Sequence, residues 1–138
     1  PGSGTGSGYG VGGGRGGMRG RTAAVPTVSI GQPNAQGDLD KAIIRRYIKR
    51  NIQKIQYCYE KELVRRPDIY GRVQVQFTIS GQGAVVESHV LSSTMNYAAV
   101  EQCVAMAVRR LQFPKPVGGG IVVVMYPFVF KAAGGEGE

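Results

Sequence analysis

The chain has 138 residues, a hydrophobic fraction of 42% and a formal net charge of +8. That length suits one domain with a tail, and no run reaches the ~18 apolar residues that cross a bilayer as a helix. The positive balance favours anionic partners such as nucleic acid, lipid headgroups or acidic protein.

Half of the 22 glycines fall within residues 1–20, a stretch with almost no apolar side chains to offset its ordering entropy. Residues 1–37 are therefore expected to form a disordered, Gly-rich linker. Its cluster Gly14-Arg15-Gly16-Gly17-Met18-Arg19-Gly20-Arg21 is similar to Arg-Gly segments that bind RNA, but one short cluster beside a single tyrosine, Tyr9, fits a soluble linker better. The chain does not begin with Met, and it is read as a piece of a longer protein whose membrane anchor or leader lies upstream.

Asp38 is the expected helix cap, with Asp40 in the first turn. From there to about Arg66, Ile44, Ile48, Ile52, Ile55, Tyr59 and Leu63 recur at helical spacing until Pro67 stops the pattern. The same helix carries Lys41, Arg45, Arg46, Lys49, Arg50 and Lys54 with no acid among them. Such a face is either solvated or an electrostatic docking surface. Val73, Val75, Phe77 and Ile79 then alternate with polar residues, which predicts a half-buried strand from Gly71. Gly81-Gln82-Gly83 is a turn, and Ala84 to about Leu91 a second strand with Val86, Ser88 and Val90 on one face. A second helix is expected from a cap at Asn96 to Leu111, with Val100, Cys103, Val104, Ala107 and Leu111 inward. Ile121 to Phe130 is the last strand, and residues 132–138 a disordered acidic tail.

This order, α-β-β-α-β, predicts an α+β fold: a three-stranded antiparallel sheet in the order 2-1-3 with both helices on one face. Pro127 lies within the last strand and has no N–H for a ladder, so that strand is expected to keep an open edge. An apolar open edge is where another extended chain adds itself.

Catalysis is not expected. The one histidine, His89, belongs to no nucleophile or acid–base set, and the acids are scattered among basic residues. Two cysteines and one histidine fall short of four zinc ligands, and no cofactor is expected. Cys58 and Cys103 have three readings, as buried apolar residues, a redox pair or a structural disulfide. No Cys-x-x-Cys is present to mark a redox motif. Both cysteines lie on or beside the inward stripes of helices expected to pack on one sheet face, so a bridge is geometrically plausible.

Several pieces carry a family likeness: Gln56-Tyr57-Cys58-Tyr59-Glu60, Gly71-Arg72-Val73 through Ile79, Ser92-Ser93, Val100-Glu101-Gln102-Cys103, Phe113-Pro114-Lys115-Pro116, and Tyr126-Pro127-Phe128-Val129-Phe130. In this order they resemble the TonB C-terminal domain, most closely that of myxobacterial adventurous-gliding-motility proteins, over residues 38–131. The resemblance implies a periplasmic module at the end of an inner-membrane-anchored protein, working with a proton-driven motor complex. Its partner would be an outer-membrane or periplasmic protein with an extended box segment. It also implies strand pairing through Val122, Val123, Val124, Met125, Tyr126, Phe128 and Phe130, and it favours a Cys58–Cys103 bridge in an oxidising compartment. On this reading Pro in place of Val124 abolishes partner binding and leaves the domain folded. The alternatives are an RNA- or anion-binding domain using the Arg-Gly tail and the basic helix, or a homodimerisation module.

Overall fold

The structure, a computed structural model, describes residues 26–132. In chain order it contains β1 (Thr27–Ile30), β2 (Asn34–Gln36), α1 (Lys41–Arg50), α2 (Ile52–Leu63), β3 (Gly71–Ile79), β4 (Val85–Ser93), α3 (Ala98–Arg109), a short 3-10 turn (Val117–Gly119) and β5 (Val122–Lys131). The fold is α+β. Its five strands form one antiparallel sheet, in which β4–β3–β5 keeps the expected order and both β1 and β2 pair with the far side of β5.

The core is the helix-facing side of this sheet. Val73, Val75, Phe77 and Ile79 of β3 are fully buried with Val122, Val124, Tyr126, Phe128 and Phe130 of β5. Strict two-residue alternation brings all of them to one face, where Ile44 and Ile48 of α1, Ile55 and Tyr59 of α2, and Val100, Val104 and Val108 of α3 cover them.

Four local expectations are corrected. The first helix is two helices, broken at Asn51 (φ −112°, ψ 15°), whose Nδ2 donates to the Tyr47 carbonyl at 2.8 Å and so competes with the helical ladder. The cap is Asp40, not Asp38: Asp40 Oδ1 accepts from the Ala42 amide at 2.9 Å. The Asp38 backbone carbonyl instead accepts from Val117 N–H at 3.0 Å, tying the chain to the Phe113–Gly119 loop. Asn96 takes positive φ (54°) in the turn before α3, and α3 starts from Tyr97, whose N–H donates to the Glu101 carboxylate. In β4 the register against β3 shifts at Gln74/Val75 and at Thr78/Ile79. These bulges put Val85, Ser88 and Val90 opposite the buried β3 residues and leave Val86 and Leu91 exposed, so the simple alternation expected for that strand does not hold.

The linker boundary also moves. Residues 27–36 are paired strand and not part of a disordered linker. The Arg-Gly cluster and most of the acidic tail lie outside the described residues.

Candidate partner-binding edge

The flank of β5 that faces away from β3 is expected to be vacant. It is instead occupied by the chain itself. Thr27–Ile30 pairs with Lys131–Phe128, and Asn34–Gln36 pairs with Met125–Val123. Val28, Ile30 and Ala35 thereby reach the helix-facing side and pack half-buried against the core.

The two short strands are one extended segment with a break, and Pro127 explains the break. The Gly31 amide donates to the Pro127 carbonyl at 3.2 Å. A hydrogen-bonded antiparallel pair exchanges two bonds, but Pro127 has no N–H to return the second. Just beyond this point the register slips by one residue: Gly31, Gln32 and Pro33 stand against only Tyr126 and Pro127. The extra residue restores the alternation, so that Ala35 faces the core as Ile30 does. Pro127 thus marks an interrupted ladder, not an empty one.

This arrangement corrects two expectations. β5 is an interior strand, flanked by β3 on one side and by β1 and β2 on the other. Val122, Val124, Tyr126, Phe128 and Phe130 are buried beneath the helices, while Val123 and Met125 lie half-buried on the opposite sheet face. Val124 pairs with Phe77 and Ala35 at once, so Pro at Val124 would disrupt the central strand and would not leave a folded domain.

The sheet's other margin, β4, is a poor template. Its two bulges disrupt a flat edge, Glu87 and His89 are exposed along it, and Arg109 donates to the Val85 carbonyl.

The expected basic face divides at Asn51. Lys41, Arg46, Lys49 and Arg50 are exposed on α1, with the Arg50 guanidinium 4.8 Å from the Tyr47 ring centroid. Arg45 is half-buried, and its Nε, like the Tyr126 hydroxyl, lacks a hydrogen-bond partner among the described residues. Burial pushes the Tyr126 phenol up to about 12, an effect that the Arg45 charge partly offsets. Lys54 belongs to α2 and faces a different groove.

Cys58 and Cys103 are joined in a disulfide with Cα atoms 5.6 Å apart, clamping α2 to α3 over the sheet. The sequence reading missed the segment 27–36. Its signal is the alternation Thr27-Val28-Ser29-Ile30, which is short and adjoins a Gly-rich stretch.

Comparison of the chain with protein-family models, with curated proteins and with solved structures returned no match.

Proposed function

We propose that this chain is a non-catalytic protein-binding module of the TonB C-terminal type. In this reading it sits in the periplasm at the end of an inner-membrane-anchored protein. It couples a proton-driven motor complex to an outer-envelope partner, as in gliding motility. The TonB likeness rests on the ordered motifs of residues 38–131 and on the β4–β3–β5 sheet under its helices.

Since the β5 flank is already filled, partner capture takes the form of strand exchange: an extended partner segment replaces residues 27–36. The observation that carries this reading is the interrupted pairing of 27–36 with β5. The segment brings three half-buried apolar side chains, Val28, Ile30 and Ala35, and a buried Pro33, whereas β5 brings five fully buried apolar side chains to the core. Opening the segment exposes far less apolar surface than moving β5 would, so the segment can leave while the central strand stays in place. The incoming strand would recover the same backbone bonds and select through side chains that alternate over Phe128, Tyr126 and Val124.

The test is crosslinking in cells from a photoreactive residue at Val129, which lies beside Ser29. An adduct with an outer-envelope protein should grow when residues 27–36 are deleted. It should vanish when Ser29→Cys and Val129→Cys variants lock the segment, with the photoreactive residue moved to Met125. Adducts indifferent to both changes would exclude exchange at this edge.

A further inference from the structure

A second surface lies on the helical side, away from the β5 flank. Residues of α2 and α3 on either side of their disulfide line an open groove of about 710 Å³. Its floor is the Cys58–Cys103 bridge. Tyr57 and Met106 line it and are 61% and 49% exposed, so both side chains are accessible to a ligand. Lys54, Lys61 and Arg110 rim it, all exposed. Among the described residues no carboxylate lines the groove, and none of these three cations is in an ion pair.

We infer that this groove binds an acidic amphipathic segment of a partner protein. One apolar side chain of that segment rests on the disulfide between Tyr57 and Met106, and its flanking carboxylates meet Lys54, Lys61 and Arg110. Charge complementarity selects the occupant. Three exposed cations without carboxylate partners among the described residues surround an apolar floor, and one of them, Lys61, lies 5.5 Å from the Tyr57 ring centroid. They suit carboxylates and an apolar anchor together, as a helix-in-groove ligand supplies. A phosphate backbone would engage the rim but leave Met106 and the disulfide unused. A membrane surface would not enter a concave site between two helices.

This site is independent of exchange at β5, and its test separates the two. The probe is a fluorescein-labelled peptide of about 12 residues, with Leu at i, i+3, i+4 and i+7 and Glu elsewhere, compared with the same peptide carrying Lys for Glu. On the full chain, fluorescence anisotropy should show binding of the Glu peptide only, with amide shift changes confined to α2 and α3. Met106→Glu, and separately Lys54→Glu with Lys61→Glu, should each weaken binding by about tenfold or more. Arg46→Glu with Lys49→Glu on α1 should change it by less than about threefold. Locking residue 29 to residue 129 should leave it unchanged. Equal binding of both peptides, loss through the α1 charges, or no binding at millimolar peptide would overturn the assignment. So would sedimentation showing a dimer that Met106→Glu dissociates, since the occupant would then be a second copy.

Discussion

Gly31 donates its amide to the carbonyl of Pro127, and Pro127 cannot return the bond. A Cβ on Gly31 would also lie 2.8 Å from the Pro127 Cγ. One proline therefore both weakens the ladder and demands glycine opposite it, and this pair sets how firmly residues 27–36 are held.

Gly31→Ala should loosen the segment without unfolding the domain. The expected loss is about 1 kcal/mol, seen as faster hydrogen exchange at Ser29, Gly31 and Asn34, whose N–H groups face β5, with the β3 amides unchanged. Pro127→Val restores a donor and removes the ring from Gly31, so it should slow exchange in the segment. The two substitutions should couple by about 0.5 kcal/mol or more in a double-mutant cycle. Strict additivity would show that the contact carries no energy.

The disulfide closes a loop with a sequence separation of 45 between Cys58 and Cys103. Cys58→Ala with Cys103→Ala should lower stability by about 4 kcal/mol in the chain-entropy model, measured by urea denaturation. Cys58 is fully buried, so a small packing loss adds to this.

Removing the α1 cap distinguishes two neighbouring acids. Asp40→Ala should cost about 1 kcal/mol because the Ala42 amide loses its acceptor. Asp38→Ala should cost far less, since Asp38 contributes its backbone carbonyl to Val117. Comparable losses for both would contradict the assigned cap.

Two buried phenols predict alkaline sensitivity. Burial pushes Tyr59 and Tyr126 each up to about 12 from the ordinary 10. The native state thus favours the neutral forms, a contribution fully present below pH 10 and lost as pH rises from about 10 through 12. Tyr126→Phe removes a hydroxyl with no partner among the described residues, so it should leave neutral-pH stability unchanged or higher and flatten the alkaline loss. Tyr59→Phe breaks the 2.6 Å bond to the Ile69 carbonyl and should cost about 1 kcal/mol at neutral pH. Equal effects at neutral pH would contradict this difference between the hydroxyls.

Much of the architecture was legible in residue order. Alternation along Val73 to Ile79 specified β3, since period two allows only one face to be buried. Helical spacing from Ile44 to Tyr59 identified the packed faces of α1 and α2, and their approach to α3 made a cysteine bridge plausible. The break at Asn51 was not legible, because Ile48, Ile52 and Ile55 keep helical spacing across it. Nor was the groove, whose Tyr57 and Met106 lie outside the inward stripes of their helices and are brought together only when α2 packs beside α3.

By itself the order of residues determined which stretches pair or coil and which faces must leave water, because periodicity and apolar content are local properties. Pro127 likewise declared in advance that one of its flanks lacked a donor. Only the tertiary structure decided what lies on that flank. The segment Thr27–Gln36 has too little apolar surface to signal its own strands, and it becomes ordered by a surface about 100 residues later in the chain. Pairing across that distance depends on the backbone of β5 and the hollow beside Phe128 and Val124, neither of which is written in the segment that fills them.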